Sequence, residues 1–144
     1  MLIGEFNHNI DEKGRLTIPS KMRHELGENF IITKGLDGCL FAYSINEWAN
    51  FEDKLSVLPS GRKETREIQR FFFSGASDVS FDKQGRVLIP QNLRDHAGLS
   101  KEVVIAGVSK RLEIWDKEKW DNLDEDSEKS IEDIAEEFGK LGIY

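Results

Sequence analysis

The feature that most constrains this chain is a nine-residue block that occurs twice. Residues 11–19 read DEKGRLTIP, and residues 82–90, 71 positions later, read DKQGRVLIP. Asp, Gly, Arg, Ile and Pro recur at matched positions, and the correspondence extends to Arg23 and Arg94. A repeat of this kind indicates that one supersecondary unit is used twice. We therefore interpret the chain as a tandem duplication.

Each block is typical of a tight turn between two short strands. Apolar residues alternate on both sides of Asp11-x-x-Gly14. An Asp at the first turn position accepts backbone N–H bonds, and a Gly at the fourth permits positive φ. Pro19 cannot donate to a strand ladder and ends the strand. The sequence predicts a β-hairpin in each copy, then a short helix, within an α+β fold in which both copies pack as one pseudo-two-fold unit.

The composition favours a reducing, intracellular location. Cys39 is the only cysteine among the 144 residues, so no disulfide framework can form within the chain. No stretch approaches the roughly 20 apolar residues of a membrane span. We expect a cytoplasmic protein that has no membrane partner.

The net charge of −7 is unevenly distributed. Residues 116–144 contain 11 acidic and 4 basic side chains, whereas residues 1–115 contain 16 of each sign. The acidity therefore belongs to the C-terminal end, where a solvated helix face is the simplest interpretation. Bulk charge does not decide for or against a DNA partner, because local clustering of basic residues matters more.

The sequence offers little for catalysis. The common zinc-protease, serine-hydrolase, phosphate-loop and Cys-x-x-Cys motifs are absent, so we predict no enzyme, no metal, no cofactor and no small-molecule substrate. One enzymatic alternative is a carboxylate dyad in which Asp11 and Asp82 share a proton. Against it, each acid is followed four residues later by an arginine that would keep it ionised.

The same spacing makes better sense as a positioned cation. Across a tight turn, residues i and i+4 return to the same end, so Asp11 and Asp82 are expected to orient Arg15 and Arg86. A guanidinium is a planar fork that suits a phosphate or the O6 and N7 atoms of guanine, and a two-stranded β-ribbon fits the major groove. We predict that Arg15 and Arg86 contact double-stranded DNA.

Neighbouring basic residues and glycines are candidates to extend this surface. Lysine and arginine add positive charge, and a glycine backbone permits close approach to a phosphate. The candidates are Lys13, Gly14, Lys21 and Arg23 in the first copy and Lys83, Gly85 and Arg94 in the second. The alternative, ordinary turns with surface salt bridges of little energetic value, remains open from these residues alone.

Three consecutive phenylalanines, Phe71, Phe72 and Phe73, form a further candidate site. Consecutive helical residues point about 100° apart, so a helix cannot direct all three towards one core. We expect at least one of them to contact another subunit or to cap the end of the fold.

Three segments together resemble the MraZ family of bacterial transcriptional regulators, and the resemblance covers essentially the whole chain. They are the paired D-x-K/Q-G-R-x-x-I-P blocks, the Gly35-to-Leu40 turn, and the RFFFSGA segment at 70–76. The resemblance implies two SpoVT/AbrB-like repeats at 5–47 and 76–119, connecting helices at 48–75 and an acidic helical segment at 120–144. It also implies a swapped-hairpin β-barrel flanked by helices.

The functional implications of this resemblance go further. It implies a nucleoid-associated repressor that binds short repeated G-rich boxes upstream of the division and cell wall gene cluster, including its own gene. It also implies assembly into a homo-oligomeric ring. Asp11, Arg15, Asp82 and Arg86 fall on the family motif, whereas Thr17 and Leu88 occupy variable positions. The alternative from another class is a ring-forming interaction protein whose DNA binding is incidental.

Overall fold

The architecture is given by a computed structural model that describes residues 1–143. Within these residues, eight strands and seven α-helices follow one another. The strands are β1 (Leu2–Asn9), β2 (Arg15–Thr17), β3 (Asn29–Lys34), β4 (Leu40–Ser44), β5 (Ser77–Ser80), β6 (Arg86–Leu88), β7 (Glu102–Ser109) and β8 (Leu112–Asp116). The helices are α1 (Ser20–Leu26), α2 (Ile45–Ser56), α3 (Lys63–Gln69), α4 (Gln91–Ala97), α5 (Lys117–Asp121), α6 (Leu123–Asp126) and α7 (Ile131–Gly139), and a π-helical turn, Arg70–Ser74, follows α3.

The strands form two antiparallel sheets, and both contain strands from both copies. The larger sheet has six strands in the order β1-β7-β8-β4-β3-β5. Its first strand, β1, pairs with β7 of the second copy, and β5 of the second copy pairs with β3 of the first. The smaller sheet pairs β2 with β6 and is called the central ribbon below. Each copy thus donates a strand to the other, which explains why the duplication folds as one body.

The α+β class is confirmed, but the closed barrel is not seen among residues 1–143. In the described sheet β1 and β5 are the two edges, so the large sheet is open. The hairpin expected in each copy is wrong. In the first copy β1 and β2 share a single bridge between Ile10 and Leu16, and in the second β5 pairs with β3 while β6 pairs with β2. Past that bridge β1 and β2 separate, and each pairs with a strand of the other copy, β1 with β7 and β2 with β6.

The central strands of the large sheet are buried on both faces. Successive residues of a strand point to opposite sides, and in β4 Leu40 and Ala42 join one apolar cluster while Phe41 and Tyr43 join another. The first cluster also contains the apolar sides of α1 and α4, which include Met22 and Leu93. The second is aromatic and is called the aromatic cluster below. Its buried members are Cys39, Phe41, Tyr43, Leu55, Phe72, Val104 and Trp115.

Local sequence signals set the ends of the longer helices. The hydroxyl of Ser44 accepts the backbone N–H of Glu47 at 3.2 Å and begins α2, and Ser130 does the same for Asp133 at 3.1 Å in α7. No helix within residues 1–143 combines the length and the apolar character needed to cross a membrane.

Candidate nucleic-acid interface

The two repeated blocks fold into turns with the same hydrogen bonds. In the first turn the N–H of Gly14 donates to the carbonyl of Asp11 at 3.0 Å, and the N–H of Asp11 donates to the carbonyl of Arg15 at 3.0 Å. The second turn repeats both bonds at 3.1 and 2.8 Å. Gly14 and Gly85 have φ of 87° and 77°, a region that side-chain-bearing residues rarely occupy. The predicted turn chemistry is therefore confirmed in both copies.

Each turn holds its arginine through the aspartate four residues earlier. Oδ1 of Asp11 accepts the backbone N–H groups of Lys13 and Arg15 at 3.0 and 2.8 Å, and Oδ2 accepts Nε of Arg15 at 2.7 Å. In the second copy Nε of Arg86 donates to Oδ2 of Asp82 at 2.8 Å. Because Nε makes the bond to the carboxylate, the end of each guanidinium between its two terminal nitrogens is not the edge that the carboxylate occupies.

These bonds also keep the two carboxyl groups ionised. The backbone N–H of Arg15 lowers the pKa of Asp11 below its usual 3.8, and the Arg15 guanidinium lowers it further. The pKa of Asp82 is lowered in the same way by Arg86. A dyad needs two carboxyl groups that share one proton, whereas each of these is already bonded to its own arginine. The geometry therefore gives no support to the hydrolase alternative.

The central ribbon brings the two arginines to one face. Arg15 pairs with Leu88 and Thr17 pairs with Arg86, so these four side chains project to the same side. The alternate residues, Leu16 and Val87, are fully buried on the other side. Arg15 and Arg86 are diagonal neighbours, which places their Cα atoms about 7–8 Å apart. Their side chains are 33% and 28% exposed.

A second pair of arginines, Arg23 and Arg94, contacts the turns of the ribbon, each from the opposite copy. Nη1 of Arg23 donates to the carbonyl of Ile18 at 2.9 Å, and the N–H of Ile18 donates to the carbonyl of Gly85 at 3.3 Å. A methyl group placed on Gly85 would lie 2.5 Å from Cζ of Arg23. The first copy thus holds the turn of the second with both its backbone and its arginine.

The reverse contact is also present. Nε of Arg94 donates to the carbonyl of Ile89 at 2.9 Å, and the N–H of Ile89 donates to the carbonyl of Gly14 at 2.8 Å. A methyl group on Gly14 would lie 2.6 Å from Cζ of Arg94. These two contacts, Arg23 with Gly85 and Arg94 with Gly14, are called the clasp below. The sequence did not predict them. The only signal for them was that Arg23 and Arg94 stand at matched positions of the repeat.

The three candidate lysines lie exposed around the ribbon. Lys13 and Lys83 are on the turns and Lys21 is on α1. Lys83 also lines a cleft of about 540 Å³ between the second turn and α1, together with Arg23 and the acidic Glu28. Gly14 and Gly85, by contrast, are buried beneath the arginines of the clasp.

The three phenylalanines lie within the aromatic cluster. Phe72 is 2% exposed and packs edge-on against Phe51, with ring centroids 5.0 Å apart. Half-buried Phe71 packs against His96 at 5.7 Å, and Phe73 packs against Trp48 at 5.9 Å. The π-helical turn makes this possible because its wider winding changes the directions in which consecutive side chains leave the axis.

Comparison with known proteins agrees with the duplication. A family model described as "MraZ protein, putative antitoxin-like" matches twice, over residues 1–71 and 72–140. The chain is 58% identical over 143 residues to the transcriptional regulator MraZ of Acetivibrio thermocellus, covering 99% of this chain and 100% of the relative. It is 57% identical over 143 residues, with the same coverage, to the transcriptional regulator MraZ of Caldicellulosiruptor saccharolyticus. On this similarity across both copies, the chain belongs to the MraZ family.

Proposed function

We propose that this chain is a transcriptional regulator that binds double-stranded DNA through the face of the central ribbon that carries Arg15 and Arg86. The observation that carries the proposal is the geometry of these two side chains. Both are partly exposed, both project from one face of a two-stranded ribbon, and both are held at Nε by an ionised aspartate.

The chemistry of the remaining guanidinium edge suits DNA. With Nε engaged, the two terminal nitrogens form the fork that matches the O6 and N7 acceptors of guanine or the oxygens of a phosphate. The aspartate already restricts the arginine side chain in the free protein. Less conformational entropy is therefore lost on binding, and more of the contact energy remains as affinity. A ribbon of this width fits the major groove.

The other candidate residues have two roles in the proposal. Lys13, Lys21 and Lys83 are exposed and add phosphate contacts around the ribbon. Arg23 and Arg94 keep the two turns in register through the clasp and present their remaining N–H groups to the backbone of the DNA. The buried Gly14 and Gly85 act by admitting these arginines.

The names of the relatives support the regulatory role, since both are called transcriptional regulators. The finer proposal is a nucleoid-associated repressor of the division and cell wall gene cluster, including its own gene, that recognises repeated promoter boxes as a homo-oligomeric ring. Two SpoVT/AbrB-like repeats, 5–47 and 76–119, would supply the ribbon, and the partly exposed edges of Phe71 and Phe73 would contribute to the contact between subunits. Repeated ribbons on one oligomer would bind repeated DNA boxes more tightly than a single ribbon would. Once one ribbon is bound, the others are held at a high effective concentration near the remaining boxes.

The test is a gel-shift titration on the promoter fragment upstream of the chain's own gene, repeated at several salt concentrations. Arg15→Ala and Arg86→Ala are each expected to weaken binding by about 1–3 kcal/mol if they read a base, or to reduce the salt slope by about 1 if they contact a phosphate. Arg62→Ala is the matched control, because Arg62 is an exposed arginine in an ion pair with Glu64 outside the ribbon. Wild-type affinity and salt slope in Arg15→Ala would contradict the proposal.

Light scattering on the same samples separates the two functional alternatives. A stable oligomer that binds the promoter fragment and an unrelated duplex equally well would favour the interaction protein with incidental DNA binding. A preference for the promoter fragment over the unrelated duplex that disappears in Arg15→Ala would favour the regulator.

A further inference from the structure

The two copies of the repeat differ at one position on the exposed face of the central ribbon. Leu88 lies directly opposite Arg15 and is 56% exposed, although it is a large apolar side chain. The matched residue of the first copy, 71 positions earlier, is Thr17, which lies opposite Arg86. The pseudo-two-fold axis therefore relates the two arginines to each other but relates a leucine to a threonine.

This difference stands out because it is the one on the exposed face of the ribbon, whereas on the buried face Leu16 corresponds to Val87 and both are apolar. The aspartate-held arginines, the buried residues behind them and the reciprocal clasp recur in both copies with matching bonds. An exposed leucine between charged neighbours leaves apolar surface in water, which is unfavourable unless a partner covers it. Single exposed apolar residues are common on protein surfaces, but this one occupies the face that the proposed function assigns to DNA.

We propose that Leu88 contacts the C5-methyl group of a thymine beside the base pair that Arg15 reads, and that the ribbon consequently reads an asymmetric site. The inference rests on the proposed function of the ribbon and specifies the base that Leu88 recognises. The thymine methyl is the one apolar group on the major-groove edge of the bases, so it is the natural partner of an aliphatic side chain there. Thr17 offers a hydroxyl as well as a methyl group and so discriminates less at the matched position.

The experiment uses the full chain and a duplex obtained by selection from a random-sequence library with that chain. Each thymine of the selected duplex is replaced in turn by deoxyuridine, which removes only the C5-methyl group, and affinity is measured by fluorescence anisotropy at fixed salt. At one position the replacement is expected to weaken wild-type binding by about threefold to fivefold. The same replacement should leave the affinity of Leu88→Ala unchanged, because that variant has already lost the contact.

Thr17→Leu supplies a gain-of-function variant that does not depend on loss of a side chain. It should create a second position at which deoxyuridine weakens binding, related to the first by the pseudo-two-fold axis of the ribbon. The position next to Arg15 is identified independently, as the base pair at which Arg15→Ala relaxes sequence preference.

Two results would overturn this inference while leaving the proposed function standing. One is that Arg15→Ala loses binding but deoxyuridine has equal effects on wild type and Leu88→Ala at every thymine. The other is that Leu88→Ala changes the oligomeric state in sedimentation velocity, which would make Leu88 a contact between copies of the chain. Unchanged binding by Arg15→Ala would instead remove the proposed function itself.

Discussion

The guanidinium of Arg23 in the first copy lies over Gly85, the turn glycine of the second, so closely that an added methyl group would lie 2.5 Å from its Cζ atom. Arg94 and Gly14 repeat the relationship in the opposite direction. Glycine is favoured at each turn for two reasons: its own positive φ, and an arginine from the other copy whose guanidinium would have to move to admit a methyl group. Through the clasp, the conformation of each turn depends on the position of an arginine in the other copy.

Gly85→Ala is expected to destabilise the protein. An alanine at a φ of 77° costs about 1–2 kcal/mol, and its methyl group also displaces Arg23 from the carbonyl of Ile18. For a chain of this size, each kcal/mol lowers the melting temperature by about 2–4 °C. Thermal unfolding followed by circular dichroism measures the change.

Gly61→Ala is the matched control for that substitution. A methyl group on Gly61 meets no atom within 4 Å, and Gly61 is not among the positive-φ glycines of residues 1–143. Its melting temperature should be within a degree or two of wild type or slightly higher, because alanine reduces the entropy of the unfolded chain. Equal destabilisation by both substitutions would contradict both contributions at Gly85, its positive φ and its contact with Arg23.

Asp82→Asn is expected to weaken DNA binding without altering its salt slope. The amide can still accept the backbone N–H groups of Gln84 and Arg86, but it cannot hold the Nε–H of Arg86 with a charge-assisted bond. The cation therefore remains while its orientation is lost, and affinity should fall about threefold to tenfold. Titrations at several salt concentrations should also show that adding Arg86→Ala costs less in this background than in wild type, because the two residues act as a pair.

The carboxyl groups of Asp11 and Asp82 should titrate below 3.8, the usual value for the side chain. Because folding lowers these pKa values, each carboxylate stabilises the folded state above its ordinary pKa, and that contribution disappears as the pH falls through the lowered value. NMR titration of the carboxyl carbons measures both midpoints. In Arg15→Gln the Asp11 midpoint should rise yet stay below the ordinary value, since backbone N–H groups remain as donors.

Thr33→Val is expected to loosen the π-helical turn that holds the three phenylalanines. Thr33 is fully buried, and its hydroxyl donates to the carbonyl of Phe72 at 2.6 Å. Valine has nearly the same shape but leaves that buried carbonyl without its donor, which costs about 1–3 kcal/mol in unfolding free energy. Urea unfolding measures the loss. Ser56→Ala is the control, because it removes the same kind of bond, to the carbonyl of Glu52, at an exposed position.

Cys39 should be inert to thiol reagents in the folded protein. It is fully buried in the aromatic cluster, and burial raises the pKa of its thiol to about 12, so the reactive thiolate is scarce at neutral pH. Reaction with a disulfide reagent should be slow until urea unfolds the chain. Ser56→Cys adds an exposed thiol as a positive control, and rapid reaction of both thiols in native buffer would contradict the burial of Cys39.

The parts of the site that depend on residues close in sequence were predictable. Asp-x-x-Gly specified the turns, and the four-residue spacing specified the ion pairs of Arg15 and Arg86, because both follow from local backbone geometry. Serine caps likewise located α2 and α7, since a cap depends only on the first turn of its helix.

The parts that depend on distant residues were not predictable in the same way. Nothing near β2 in the sequence indicates that it pairs with β6 rather than β1, because the choice depends on which partners the whole sheet leaves available. The clasp between Arg23 and Gly85 has the same origin. The π-helical turn at Phe71–Phe73 was missed because only tertiary packing favours that wider winding over a regular helix.

The exchange of strands between the copies fixes the distance between Arg15 and Arg86. Since β2 and β6 are hydrogen-bonded to each other, the distance between the two guanidinium groups is determined by strand register and not by the segment that joins the copies. Lengthening or shortening that segment would leave the spacing unchanged. The duplication has thereby joined the two arginine-bearing strands into one rigid unit.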